Sequence, residues 1–144
     1  MAPLRQITVR TARLRLDEDG IVRWRVLPGI LQIKADAVEG LAAFWKLAGH
    51  RRRPVLVDLR RLTSIERKAR LHYASATSAR YTLAVGMLVG SPLSQAVGNF
   101  FLGLDRPAVP CRLFTSEAEA LCWLQGFIVE AEGPAETGAQ ITLH

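Results

Sequence analysis

The sequence has few of the residues that build metal, disulfide or redox sites. Its two cysteines, Cys111 and Cys122, are eleven positions apart, and three histidines are scattered at positions 50, 72 and 144. These spacings match neither a CxxC pair nor a zinc-binding pattern. We therefore expect no metal and no cofactor, and we interpret both cysteines as packed, reduced thiols.

Long hydrophobic runs are also missing. No segment approaches the ~20 apolar residues that a membrane-spanning helix needs, and the first nine residues lack the apolar core of a signal peptide. We therefore expect no membrane insertion and a cytoplasmic location. With 144 residues, 49% of them hydrophobic, the chain has the size and composition of a single domain with its own core.

Acidic residues are scarce in the first part of the chain. Positions 1–80 hold 17 Lys or Arg against 7 Asp or Glu, a net charge of +10, whereas positions 81–144 hold 2 against 6, a net charge of −4. This asymmetry favours an anionic partner, a self-complementary dimer, or an acidic tail that folds back on the basic part.

Hydrophobic periodicity predicts alternating strands and helices. Apolar residues take every second position of two segments around the turn at 17–20, which indicates a hairpin, and Asp36, Thr63, Ser91 and Ser116 are placed as helix N-caps. The predicted elements are strands at 12–16 and 22–26, a helix at 36–48, a strand at 54–59, a helix at 63–79, a strand at 81–89, a helix at 91–104, a strand at 111–114 and a helix at 116–127.

This order, ββαβαβαβα, predicts an α/β fold with a single mixed β-sheet and helices packed on it by right-handed crossovers. The helix at 91–104 has the clearest apolar face, which we expect to be wide and buried. Residues 1–11 are predicted as an N-terminal extension, 12–128 as the domain, and 129–144 as a flexible acidic tail, because its composition shifts to Glu, Gly, Pro, Ala and Thr.

The element order resembles that of a STAS domain, the fold of bacterial anti-sigma-factor antagonists and of the cytoplasmic tails of sulfate transporters. Three segments carry a closer resemblance, to a bacterial branch of uncharacterised STAS-like or lipid-transfer (CRAL-TRIO)-like small proteins: LVGSPLS at 88–94, GNFFL at 98–102 and RLFTSEAEA at 112–120. The resemblance covers residues 12–127 and implies a fold without implying an activity.

The antagonists carry a phosphorylated Ser about nine residues after the strand that here ends at Asp58. Arg67 and Lys68 occupy that region, so the acceptor of the family is not in its place. Thr63 or Ser64 could serve as a displaced phosphoswitch, although Thr63 is also predicted as the N-cap of the second helix.

Four arginines of the hairpin form the first candidate site. If the apolar side chains of both strands face the core, Arg13, Arg15, Arg23 and Arg25 share the outer face. We predict that this face lacks neighbouring acids and binds a partner, because opposed like charges destabilise a strand pair. A solvated surface, an acidic partner, the tail with Glu130, Glu132 and Glu136, and nucleic acid are the alternatives; the lack of any nucleic-acid motif disfavours the last.

The second candidate site lies around the start of the second helix. Cations there meet the positive end of the helix dipole, and a bound anion such as phosphate would relieve both charges. An exposed, solvated loop is the simpler alternative. The residues of this candidate anion or partner site are Arg60, Arg61, Arg67, Lys68 and Arg70.

Catalytic patterns are absent from the sequence. Ser91 lacks the flanking glycines of a nucleophile elbow, and His72 has no nucleophile tied to it. We therefore expect a non-enzymatic STAS-like regulatory or scaffold domain that binds another protein. The first partner that we expect is a second copy of the same chain, in a homodimer. The alternative is a carrier of a lipid or phosphorylated small molecule, held in an apolar cavity beneath the third helix or near Arg60 and Arg67. The third hypothesis is an enzyme with an atypical active site.

Overall fold

Eight strands and five helices make up the fold in the computed structural model, which describes residues 5–105 and 107–132. A π-helical turn, Phe101–Asp105, follows the fourth helix. The elements are β1 (Gln6–Val9), β2 (Ala12–Leu16), β3 (Val22–Val26), β4 (Leu31–Gln32), α1 (Lys34–Leu47), β5 (Arg53–Asp58), β6 (Ser64–Ile65), α2 (Arg67–Ala74), α3 (Ala76–Ala79), β7 (Thr82–Leu88), α4 (Pro92–Phe100), β8 (Cys111–Phe114) and α5 (Glu117–Glu132).

One six-stranded mixed sheet, in the order β1-β2-β3-β5-β7-β8, is the centre of the molecule. The first three strands form an antiparallel meander, and β3, β5, β7 and β8 are parallel. This confirms the predicted α/β class with a single main mixed sheet. The short strands β4 and β6 form a separate parallel pair.

Helices cover the two faces of the sheet unequally. On one face, α1 to α4 bury a large cluster that includes Trp24, Phe44 and Met87. On the other face, α5 packs Ala120 and Leu124 against β5, β7 and β8. A Cβ atom on Gly86 would lie 3.2 Å from Leu124 Cδ1, so this glycine allows the close approach that its place within a strand suggests. The outer face of β1 to β3 extends beyond α5.

The start of α1 is held by two carboxylates from different parts of the chain. Asp36, which is 4% exposed, accepts hydrogen bonds from Arg10 at 2.8 and 2.6 Å and from the Ile33 backbone N–H at 2.9 Å. Glu66 Oε1 accepts the Lys34 N–H at 2.9 Å. Together they satisfy N–H groups that have no partner within the helix.

Both ends of the domain differ from the sequence prediction. Residues 1–11, predicted as an extension, contain β1, which pairs with β2 at the sheet edge. The last helix continues to Glu132 rather than ending near 127, so the predicted tail at 129–144 begins as helix. Its remaining residues, 133–144, lie outside the part of the chain that the structure describes.

Two predicted N-caps are confirmed and two are wrong. Ser91 Oγ accepts the Ser94 N–H at 3.0 Å, and Ser116 Oγ accepts the Glu119 N–H at 3.3 Å. Asp36 instead occupies the third position of α1 and bonds back to Ile33. Thr63 lies before β6, and its Oγ1 accepts the Gly29 N–H at 2.6 Å. The predicted helix at 63–79 accordingly starts at Arg67 and is interrupted at Ser75.

The predicted helix at 91–104 corresponds to α4, and the prediction that it has a wide buried face is wrong. Phe101 is buried, but Leu93 is 42% and Phe100 47% exposed. Small residues approach the core instead: Ser94 and Gly98 are buried, and a Cβ on Gly98 would lie 2.6 Å from Leu113 Cδ2. Some of the regularly spaced apolar residues of this helix therefore lie on the molecular surface.

Candidate functional site

The four hairpin arginines lie together on the outer face of β2 and β3. Arg13 is directly opposite Arg25, and Arg15 is opposite Arg23. We call the surface formed by Arg13, Arg15, Arg23 and Arg25 the arginine face. It is on the same side of the sheet as α5, because Arg23 is in register with Leu56, which packs against that helix.

A groove of about 220 Å³ runs between the arginine face and the start of α5. Besides the four arginines, polar side chains from β1, from β5 and the loop after it, and from α5 line it: Gln6, Asp58, Arg60 and Glu117. No helix among residues 5–105 and 107–132 covers this part of the sheet. Within the described part of the chain, the groove is built mainly from charged side chains.

Acidic residues of the hairpin turn neutralise half of the arginine face. Arg15 donates to Asp17 at 2.7 Å, and Arg23 donates to Asp19 at 2.6 Å. Burial by itself would raise the pKa of Asp19, but hydrogen bonds from Arg23 and from the Ile21 N–H outweigh it and lower that pKa. The expectation that no acids neighbour these arginines is thus wrong for Arg15 and Arg23.

The other half of the arginine face is not neutralised in this way. Arg13 and Arg25 are exposed, and neither makes a hydrogen bond or ion pair with another residue that the structure describes. Asp58 is in register with Arg25 on the neighbouring strand β5, and its carboxylate accepts two hydrogen bonds from the Arg60 side chain, at 3.0 and 2.9 Å. Burial alone would raise the Asp58 pKa, but the hydrogen bonds from Arg60 and the attraction of Arg60 and Arg25 outweigh it and lower that pKa.

The structure distributes the second candidate cluster over three environments. Arg60 folds back onto Asp58 and lines the groove beside the arginine face. Arg70 donates to Asp105 at 3.1 Å, with its guanidinium carbon 5.5 Å from the centre of the Phe100 ring. Arg61, Arg67 and Lys68 are exposed on the surface. Sequence reasoning did not place Arg60 with the hairpin, because their proximity depends on the β3–β5 pairing.

The two candidate phosphoswitch residues lie outside any helix. Thr63 is exposed and accepts the Gly29 N–H, while Ser64 is half-buried in β6 opposite Leu31. Neither occupies a helix start, which is where the resemblance places the acceptor. A phosphoswitch at Thr63 or Ser64 stays a prediction.

An apolar cavity of about 90 Å³ lies between the sheet and the layer of α1 to α4. Aromatic and aliphatic side chains form most of its wall, including Trp24, Phe44 and Met87. We call it the central cavity. Its place under the helices corresponds to the apolar cavity that the sequence suggested for a carrier.

Reactive and metal-binding groups are sparse in the described part of the chain. No three of its His, Cys, Asp or Glu residues are grouped so that they could hold a metal ion. Burial raises the pKa of Cys111 to about 12, so this thiol stays protonated at neutral pH. No described helix combines the length and apolar character that crossing a membrane requires.

Comparison with known proteins gives first a fold class and then a family. A solved structure from Shewanella loihica PV-4, an uncharacterised DUF3478-family protein with a SpoIIAA-like fold, matches with a TM-score of 0.53 at 14% identity, over 86% of this chain and 98% of that one. The fold is thus SpoIIAA-like, that is, STAS-like. A family model described as a domain of unknown function, DUF7793, matches residues 14–128, and the chain belongs to that family.

A second solved structure, a protein with unknown function from Arthrobacter sp. FB24, is 31% identical over 77% of this chain and 96% of that one, with a TM-score of 0.27. No curated protein matches. The Shewanella structure gives the fold and the family model gives the family, and neither assigns an activity.

Proposed function

We propose that this chain is a non-enzymatic regulatory or scaffold domain that binds an acidic surface of another protein through the arginine face. The observation that carries the proposal is the opposed pair Arg13 and Arg25, which makes no ion pair of the kind that Arg15 and Arg23 make. Asp58, the carboxylate beside Arg25, is already hydrogen-bonded to Arg60. Like charges directly opposite on neighbouring strands destabilise the pairing by roughly 0.2–1 kcal/mol. An acidic partner would remove this repulsion on binding.

The chemistry of the groove supports binding rather than catalysis. Asp58, one of its two carboxylates, has a lowered pKa, so it is ionised and a weak proton acceptor near neutral pH. Its other charged side chains include five arginines, which do not exchange protons in this range. A surface of this kind recognises carboxylates by bidentate hydrogen bonds.

Self-association, the second part of the proposal, needs a different surface. A two-fold symmetric contact through the arginine face would bring arginine against arginine. The exposed face of α4 carries Leu93 and Phe100, and no residue within Pro92–Phe100 is charged. Two copies of the chain can therefore pack against each other there without charge repulsion. A homodimer through α4 therefore leaves the arginine face available to the partner.

Quantitative affinity capture from a lysate of the source organism tests partner binding. The bait with Arg13→Glu and Arg25→Glu should lose at least tenfold of a specific partner relative to the unaltered protein. Lys46→Glu with Arg80→Glu, two exposed positions outside the groove, makes the same change in net charge and should retain the partner. Equal capture by both double variants would contradict the proposal.

Light scattering after size-exclusion chromatography tests self-association. The unaltered protein should have the mass of a dimer, and Phe100→Glu should shift it to a monomer. Arg13→Glu should stay dimeric because the arginine face is outside the contact. The measurement is made at about 100 μM protein, a concentration at which even a weak dimer is populated. A monomeric mass for the unaltered protein at that concentration would contradict the homodimer.

The carrier alternative is favoured by one observation, the central cavity. Native mass spectrometry of freshly purified protein tests it, since a carrier retains its ligand as an added mass. At about 90 Å³ the cavity has room for roughly three water molecules, each of which takes ~30 Å³ in the liquid. That is too small to enclose an acyl chain of lipid length.

A further inference from the structure

The outer edge of β1 carries an inference that rests on the proposed function and concerns the form of the acidic partner. We propose that the partner supplies an extended segment that pairs with β1 as a seventh strand of the main sheet and carries acidic side chains at alternate positions. Strand addition to a sheet edge binds peptides in this way, because backbone hydrogen bonds give affinity and alternate side chains give specificity.

Backbone groups of β1 point away from the sheet. The Leu16 N–H donates to the Arg5 carbonyl at 2.9 Å, and hydrogen-bonded pairs alternate with non-hydrogen-bonded pairs along an antiparallel ladder. Because Gln6 is opposite Arg15 in the register, the N–H and C=O groups of Gln6 and Thr8 are directed to the outer edge. They have no hydrogen-bond partner in the part of the chain that the structure describes.

The sequence of β1 does not protect this edge. Natural edge strands avoid pairing with other chains by means of charged residues, proline or bulges. The opposite edge strand, β8, contains exposed Arg112 and begins directly after Pro110. Gln6–Val9 includes neither a charge nor a proline, and its register with β2 is regular. Of the two edges of the main sheet, that of β1 is therefore the one suited to an added strand.

The arginine face determines one side of the added strand. Gln6 and Thr8 lie opposite Arg15 and Arg13, on the same face of the sheet, and Gln6 lines the groove with these arginines. Neighbouring strands are ~4.8 Å apart, so an added strand would lie roughly 10 Å from β2, a distance that glutamate and arginine side chains reach across together. Arg13, which makes no ion pair with a described residue, would gain an acidic partner there.

The apolar residues of β1 determine the other side of the added strand. Ile7 and Val9 are half-buried and pack against the large hydrophobic cluster. Apolar side chains at alternate positions of the added strand would lie beside them and remove more of their surface from water. The partner segment should therefore alternate acidic and apolar residues. A second copy of β1 would not meet this requirement, because Gln6 and Thr8 are uncharged.

A synthetic peptide of strand length, in which glutamate alternates with valine, is the probe for this site. Followed by fluorescence anisotropy of an attached dye, it should bind with a Kd of about 100 μM or below. A peptide of the same composition, with glutamates and valines in two separate blocks, should bind at least tenfold more weakly. Methylation of every second backbone nitrogen removes donors from one edge of the peptide only. One alternate set should abolish binding and the other should leave it unchanged.

Variants of β1 test the edge from the side of the protein. Thr8→Pro removes an outward N–H without removing a hydrogen bond of the sheet, and it should weaken the peptide at least tenfold. Thr8→Ala keeps the N–H and is the matched control, with unchanged binding. Gln6→Pro is a second edge variant if the first does not fold. Arg13→Glu should weaken the peptide at least fivefold, whereas Arg112→Glu, at the opposite edge, should not.

The outcomes separate the added strand from the proposed function. Undiminished peptide binding by a folded proline variant, equal binding of the block peptide, or equal effects of the two methylated sets would each overturn the added strand. If Thr8→Pro also retains the lysate partner that Arg13→Glu with Arg25→Glu loses, the arginine face still binds an acidic partner and only the added strand fails. A lower mass of Thr8→Pro in light scattering would show that a second copy occupies the edge, and would likewise overturn the inference.

Discussion

Asp36 shows how one buried carboxylate can hold two distant segments together. It receives two hydrogen bonds from Arg10, in the turn between β1 and β2, and one from the Ile33 backbone at the start of α1. The Arg10 bonds are the main cause of its lowered pKa, which burial opposes. The ionised form is therefore favoured in the folded protein.

We expect Asp36→Asn to lower the free energy of unfolding by about 1–2 kcal/mol at pH 7, since hydrogen bonds to charged groups contribute about 1.5–3 kcal/mol and Arg10 is half exposed. Because the folded-state pKa is depressed, the carboxylate stabilises the fold above its unfolded pKa of ~3.9. This contribution is lost as the pH falls through the folded-state pKa.

Urea unfolding between pH 7 and pH 3 measures both effects of Asp36→Asn. The unaltered protein should lose more stability on acidification than the variant. Glu39→Gln, an exposed change on the same helix, is the control and should cost less than about 0.5 kcal/mol. Equal losses for the two variants would show that Asp36 is not the anchor.

We expect alanine substitutions at Gly40 and Gly126 to have opposite effects on stability. A Cβ on Gly40 would lie 2.7 and 2.8 Å from the ring of buried Trp24, whereas a Cβ on Gly126 would meet nothing within 4 Å. Gly40→Ala should therefore destabilise the protein by about 1–3 kcal/mol. Gly126→Ala should stabilise it by about 0.5–1 kcal/mol, because alanine is the better helix former.

Thermal unfolding of both variants, followed by circular dichroism, checks this pair. The melting temperature should fall for Gly40→Ala and rise for Gly126→Ala. A rise for both would mean that the Trp24 ring moves aside without cost.

At the scale of elements, α4 starts with two serines that cap each other. Ser94 Oγ accepts the N–H groups of Gly90 and Ser91 at 3.0 and 2.9 Å, and Ser91 Oγ accepts the Ser94 N–H. Ser94 is fully buried. This network ends β7 and begins α4 within a few residues.

Ser94→Ala should lower the free energy of unfolding by about 1–2 kcal/mol, because the part-buried hydrogen bonds from the N–H groups of Gly90 and Ser91 lose their acceptor. Gln95→Ala, at the next and exposed position, is the matched control and should be neutral or slightly stabilising. Guanidinium titrations of both variants measure the difference. A cost for Ser94→Ala no larger than that of the control would contradict the role given to this network.

The caps also show what a sequence can and cannot predict at this scale. Ser91-Pro92 and Ser116 were predicted because each cap bonds within its own segment. Thr63 was wrongly predicted as a cap, because its Oγ1 accepts the N–H of Gly29, 34 residues earlier, and no local pattern shows that contact. For the same reason no local pattern shows that Glu66 binds Lys34 in α1, 32 residues away.

At the scale of the whole molecule, the two hydrophobic clusters share the strands β5 and β7. Val55 and Met87 face α1 to α4, while Leu56 and Leu88 face α5. Neither cluster can lose its strands without exposing the other. We therefore expect a single cooperative unfolding transition.

Leu124→Ala tests this coupling. Its side chain is fully buried over Gly86, so the cavity left behind should cost about 3–4 kcal/mol. Fluorotryptophan NMR resolves Trp24 in one cluster and Trp123 in the other, and both should report the same lowered urea midpoint. Leu121→Ala, half-buried on the same helix, should cost less. Separate midpoints for the two tryptophans would contradict the shared core.

The class and main sheet were predictable because alternation and apolar runs are local signals. The arginine face followed from period-2 geometry, and its four residues were placed correctly on one side. The groove was not predictable, because it depends on where α5 lies and on Asp58 and Arg60 reaching β3 through parallel pairing. The exposed part of α4 was missed because Ser94 and Gly98, not its apolar residues, approach the sheet.

The mixed strand order has a consequence for how the chain folds. The meander β1-β2-β3 joins neighbours in sequence by short turns, and hairpins of this kind form in about 1–10 μs. Each parallel pairing closes a loop through a helix, so the entropy of loop closure has to be met before contacts form. We therefore expect the N-terminal meander to form early, and addition of β5 beside β3 to limit the rate.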